Sequence, residues 1–81
     1  MGKNEMCKKV VTILNKVIED GNNIPKTHDE VFNDRLDSIQ FVTLIVELEN
    51  EFQIEIHDDD FDMEKLNTIN KISELVKSYL E

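Results

Sequence analysis

The sequence predicts an all-α fold: a small four-helix bundle of three longer helices and one short one, with a long loop between the first and second. Three observations predict it. Apolar residues recur at helical spacing in three separate stretches of the chain. N-cap residues or helix-stop residues bracket those stretches. The one alternating run, Gln53-Ile54-Glu55-Ile56, has no second strand to pair with, so it reads as a short extended link and not as part of a sheet. With 81 residues the chain has room for one modest core, and 1–81 reads as a single stand-alone domain.

The first helix is expected over residues 3–20. Met6, Val10, Ile13, Leu14, Val17 and Ile18 form its apolar stripe, Gly21 is its C-terminal stop, and Pro25 prevents continuation. Residues 21–36 read as irregular, a loop long enough to suggest function. Val31, Phe32 and Leu36 are expected to pin it to the core through a short helical turn.

The second helix is expected over 38–52. Asp37 is a good N-cap, and Gln40 stands three residues later as in a capping box. Placed every 100° around the axis, Phe41, Leu44, Ile45, Leu48 and Phe52 cluster on one side, the core face. Ile39, Val42 and Val46 fall on roughly the opposite side. A surface helix needs one buried face, so part of this second stripe is expected to be exposed. With Glu47, Glu49 and Glu51 at its rim, it suits transient docking to basic partners. After the acidic turn His57-Asp58-Asp59-Asp60, a short third helix is expected over 61–65. The fourth helix is capped by Asn67 or Thr68 and carries Ile69, Ile72, Leu75, Val76, Tyr79 and Leu80.

Composition excludes several function classes. Lys plus Arg total 9, Asp plus Glu total 18, and the net charge is −9. Residues 1–28 are net +2 and residues 29–81 net −11, so basic partners should dock on the later part. Such a chain repels nucleic acid and anionic lipid surfaces. No run approaches the roughly 20 apolar residues of a membrane span, and no secretory signal is visible. The single Cys7 cannot close an internal disulfide and points to a reducing, cytoplasmic setting. A soluble monomer is expected.

No residue reads as catalytic. Ser38 has no evident base, and His28 and His57 lie in polar segments. No metal site is expected either. An EF-hand loop starting at Asp58 would need Gly where Met63 stands and Glu where Ile69 stands. Ser38 is better placed for attachment. It opens the second helix, where backbone N–H groups lack internal partners and the dipole favours negative charge, a good place to hold a phosphate ester.

The combination Asp37-Ser38-Ile39, then Leu44-Ile45-x-x-Leu48-Glu49-x-Glu51-Phe52, then Ile54-x-Ile56 resembles the acyl carrier protein family, including its aminoacyl and peptidyl carrier domains. The resemblance runs from about Leu36 to Leu80. It implies that Ser38 carries 4′-phosphopantetheine, whose thiol holds an acyl or aminoacyl group as a thioester. It implies that Asp37 assists the phosphopantetheinyl transferase, which needs magnesium. It also implies that Ile39, Val46 and the acids of the second helix are the recognition surface for loading ligases and synthases.

An acyl carrier for fatty-acid, polyketide or related biosynthesis is the leading expectation. An aminoacyl or peptidyl carrier is the alternative, and an unmodified acidic interaction module the third. Arg35 stands where fatty-acid carriers usually have Gly, and Thr43 and Asn50 where they often have acids. These departures weaken a housekeeping fatty-acid role and put a specialised carrier, serving a polyketide, nonribosomal peptide or aminoacyl pathway, on an equal footing with it. Arg35 is also expected to pair with the phosphodiester on Ser38.

Overall fold

Apolar stripes rather than intrinsic propensity decide the helices of this chain. The structure is a computed structural model that describes residues 2–18 and 24–81. Three α-helices run through them: α1 (Lys3–Val17), α2 (Ser38–Phe52) and α3 (Ile69–Leu80). Two 3₁₀ turns stand between, at Asn33–Arg35 and Asp58–Asp60, and there is no strand among the described residues. Helix α1 packs against both α2 and α3.

Helix α1 buries Met6, Cys7, Val10, Ile13, Leu14 and Val17, the expected stripe with Cys7 added. It ends at Val17, short of residue 20. Ile18 leaves the helical conformation with its N–H still bonded to Leu14 O, and its side chain is buried. The proposed stop at Gly21 lies outside the described residues. Helix α2 buries Phe41, Leu44, Ile45, Leu48 and Phe52, as the helical wheel requires. It ends where Gln53 turns left-handed at φ 56°, with the N–H groups of Gln53 and Ile54 both on Glu49 O. Helix α3 starts at its Thr68 cap, whose hydroxyl accepts the Lys71 N–H, and it buries Ile69, Ile72, Ser73 and Val76. Leu80, expected on its apolar stripe, is exposed in the last turn.

Where α1 meets α3 the apolar core admits a few polar groups. The Cys7 thiol, buried, lies 3.3 Å from the Ser73 hydroxyl and 3.8 Å from Asn70 Oδ1. Ser73 also donates to Ile69 O, so its buried hydroxyl is satisfied. The thiol therefore packs as a core group.

The short helix expected over 61–65 does not form. The chain makes its 3₁₀ turn earlier, at Asp58–Asp60, and then an irregular turn through residues 62–66. Asp62 caps a single turn: its carboxylate accepts the Glu64 N–H and its carbonyl accepts the Lys65 and Leu66 N–H groups, after which the chain leaves the helical path. The Tyr79 hydroxyl holds the earlier turn by accepting the His57 N–H and donating to the Asp60 carboxylate. Five residues supply too little propagation to overcome those bonds.

The loop before α2 is anchored as expected by Phe32 and Leu36, both buried, but Val31 is half exposed and anchors nothing. Phe32 donates its N–H to Asn67 O at 2.9 Å, and His28 O accepts the Asn70 N–H at 3.0 Å. The loop is thus tied to the start of α3. The 3₁₀ turn that follows delivers the chain to the start of α2.

Candidate functional site

Asp37 sets the geometry of the α2 N-terminus. Its carboxylate accepts the Gln40 N–H at 2.7 Å, and the Gln40 side chain returns to accept the Asp37 N–H at 3.1 Å. Asp37 O then accepts the first intrahelical bond, from Phe41 N, at 2.9 Å. This reciprocal box satisfies the N–H groups at both ends of the first turn. Asp37→Ala removes the carboxylate half of it, the acceptor for the Gln40 N–H, and is expected to cost about 1 kcal/mol. A melt followed by circular dichroism should fall by roughly 4–8 °C. Asp37→Asn keeps an acceptor and should lose far less.

Ser38 is the first residue of α2 and is exposed. Among the described residues nothing forms a hydrogen bond with its hydroxyl, or with the N–H groups of Ser38 and Ile39. The first turn contains no acid of its own. A phosphodiester on Ser38 Oγ would therefore sit beside two unused backbone donors at the positive end of a 15-residue helix. The residues present fit that group. His28 and His57 do not enter this arrangement. His28 lies on the loop that meets the start of α3, and His57 packs its ring on Tyr79 at 5.8 Å.

Below Ser38 runs the second stripe of α2. Ile39 is 78% exposed, Val42 50% and Val46 46%, so neither the loop nor another helix covers it. The rim acids divide. Glu47 is partly exposed and forms no hydrogen bond or ion pair among the described residues. Glu49 turns its carboxylate to the link after the helix and accepts the Ile56 N–H at 2.9 Å. Glu51 pairs with Lys9 of α1 at 3.3 Å. Sequence spacing places all three acids on the helix but does not reveal these internal partners.

Upstream of Ser38, the 3₁₀ turn brings Arg35 to Glu30, with Nη1 2.6 Å from Oε2. Glu30 Oε1 accepts the Lys26 N–H at 3.3 Å. Both contacts, the Arg35 hydrogen bond foremost, hold the Glu30 carboxyl below the usual carboxylate range. Sequence reasoning singled out Arg35 and missed Glu30. The available signal was that Arg35 is the only lysine or arginine between Lys26 and Lys65.

No helix among the described residues is long and apolar enough to cross a membrane. No cluster of three His, Cys, Asp or Glu side chains among them is arranged to hold a metal ion.

Residues 8–76 match the family model described as the phosphopantetheine attachment site. The chain is 33% identical over 78 residues to the D-alanyl carrier protein of Leuconostoc mesenteroides subsp. mesenteroides, spanning 94% of this chain and 97% of that one. It is 36% identical over 76 residues to the D-alanyl carrier protein of Staphylococcus xylosus, spanning 90% and 95%. A stretch of 42 residues is 55% identical to the D-alanyl carrier protein of Streptococcus uberis; this match spans 52% of the present chain and about half, 53%, of that relative. On these matches the chain belongs to the phosphopantetheine attachment family, the carrier proteins that bear a covalently attached phosphopantetheine.

Proposed function

We propose that this chain is an aminoacyl carrier protein of the cytoplasm, with its phosphopantetheine attached through Ser38. The observation that carries the attachment site is the exposed Ser38 hydroxyl, which has no hydrogen-bond partner among the described residues, beside the N–H groups of Ser38 and Ile39, which have none there either. The relatives support an aminoacyl cargo, with D-alanine the first to test, over the fatty-acid or polyketide cargo that the sequence alone favours. When bound, the group supplies a thiol that holds its cargo as a thioester.

The chain's own contribution is positioning. Asp37 and Gln40 fix the first turn of α2 and so the direction in which Ser38 presents its oxygen. Ile39, Val42 and Val46 form an apolar docking surface for the transferase and for a cargo-loading ligase. Asp37 and Glu47 add local charge that selects basic partner patches, with Glu49 and Glu51 at the edge of the same surface.

The test is intact mass after incubation with coenzyme A, magnesium and a broad-specificity phosphopantetheinyl transferase. In that reaction the serine oxygen forms a bond to the pantetheine-side phosphorus. The pyrophosphate P–O bond breaks, adenosine 3′,5′-bisphosphate leaves, and the hydroxyl proton passes to base. A phosphopantetheine-sized gain is expected in the wild type, and none in Ser38→Ala, which should keep its helical spectrum. A gain retained in Ser38→Ala would overturn the site. The modified chain is then offered ATP with D-alanine or with fatty acids and the corresponding ligases. A D-alanine-sized gain supports the aminoacyl reading, and loading by fatty acids alone would overturn it.

A further inference from the structure

We propose that Arg35 changes partner when Ser38 is modified: its guanidinium leaves the Glu30 carboxylate for the phosphodiester, so the segment 26–35 registers the modification state of the chain. The proposal rests on attachment at Ser38.

Four observations carry it. First, Arg35 is held in place by its backbone. Its N–H donates to Phe32 O at 2.9 Å, and buried Phe32 and Leu36 flank the turn, so the side chain starts from a fixed point. Second, its ion pair with Glu30 is partly open to water, with side-chain exposures of 29% and 30%. Pairs in contact with solvent contribute little, so the Glu30 contact itself gives a competing anion little to overcome.

Third, the diester would have that advantage. It arrives tethered three residues away, with its α-carbon within about 10 Å of Arg35's along even a fully extended chain. A tethered ligand acts at high effective concentration. Its two non-bridging oxygens match the guanidinium fork, whereas the ion pair seen here joins Nη1 to one oxygen of Glu30. Fourth, this is the most anionic part of the molecule's approach to α2. Asp29, Glu30, Asp34 and Asp37 precede Ser38, and Arg35 is the only lysine or arginine from residue 27 to residue 64. A new negative charge on Ser38 raises the local repulsion, and Arg35 is the cation placed to offset it.

The loop feels the exchange through Glu30. That carboxylate now accepts from both Lys26 N and Arg35, which ties the two ends of the 26–35 segment together. Loss of Arg35 leaves it the Lys26 N–H alone.

Isotope-labelled chain should be studied before and after treatment with coenzyme A, magnesium and the transferase, with complete conversion verified by intact mass. The Glu30 side-chain carboxyl is titrated by NMR in both forms. In the unmodified chain its midpoint should lie below the ordinary value, as the Arg35 and Lys26 contacts require. In the modified chain the midpoint should move upward and the Arg35 side-chain N–H resonances should shift. In Arg35→Gln the Glu30 midpoint should be higher from the start, and modification should leave it unmoved.

An identical Glu30 midpoint in two forms of verified mass overturns the exchange. So does a shift of Arg35 with no change at Glu30, since the guanidinium would then serve both anions. Absence of a mass gain with an active transferase removes the Ser38 reading itself, a separate result that the mass measurement identifies before any titration begins.

Discussion

Phe32→Ala is expected to destabilise the chain by about 3–5 kcal/mol, the cost of deleting a fully buried ring from a packed core. Phe32 is 0% exposed, and it is the largest of the fully buried side chains among the described residues. For a domain of this size total stability is on the order of 5–10 kcal/mol, so one substitution would remove a large share of it. The melting temperature should fall by roughly 15–30 °C. The effect should also be local in a way that matters for the site. Phe32 donates its N–H to Asn67 O and accepts the Arg35 N–H, so the ring anchors the turn that leads into Ser38. Amide exchange in residues 24–36 should accelerate before exchange in α1 or α2 does. Val31→Ala, one residue away and half exposed, is the matched control and should scarcely move the melt. A fall of only a few degrees for Phe32→Ala would show that the loop does not depend on this anchor.

The double variant Ile39→Ala with Val46→Ala should behave in the opposite way. Both side chains are largely exposed on α2, and alanine is a better helix former than either, so the melt should stay level or rise. Partner reactions should suffer. Removing two apolar anchors from a docking patch is expected to lower kcat/KM for the transferase and for a cargo ligase by roughly ten- to hundredfold. The measurement is the rate of mass gain at low protein concentration. Unchanged rates would mean that partners dock elsewhere on the chain.

How much of this was legible beforehand differs from element to element. Helix α2 spans residues 38–52 as the sequence predicts, because Asp37 and Gln40 declare its start and the apolar wheel carries through to Phe52. Its exposed second stripe was equally legible, since a helix of a small bundle can bury only one side. The 61–65 helix was not. Its formation depended on whether the turn that Asp62 caps would continue past Leu66, and on a tyrosine hydroxyl that reaches His57 and Asp60 from 22 and 19 residues downstream. Neither is a matter of local propensity. Val31 shows a similar limit. Val31 and Phe32 are adjacent apolar residues of an irregular loop, and the sequence does not say that Phe32 alone is buried. Asp37 and Ser38 stand at the cap and first position of α2, as the capping pattern predicts, while the link of Glu30 to Arg35 was not legible because it exists only once the 3₁₀ turn has formed.

The division among the rim acids has a consequence for how partners are recruited and then gripped. Glu51 is paired with Lys9, so at a distance the two charges largely cancel. Glu49 is bonded to a neutral amide, which occupies an oxygen but leaves its full negative charge in the field around the molecule. An approaching basic protein would therefore sense Glu47 and Glu49 at Debye-length range, with little contribution from Glu51. At contact the order changes: Glu47 can form a bond at once, whereas a lysine that takes Glu49 must first share it with the Ile56 N–H. On the proposed docking surface, attraction and final hold would thus fall to overlapping but different sets of carboxylates, which would suit fast arrival at each partner and fast release.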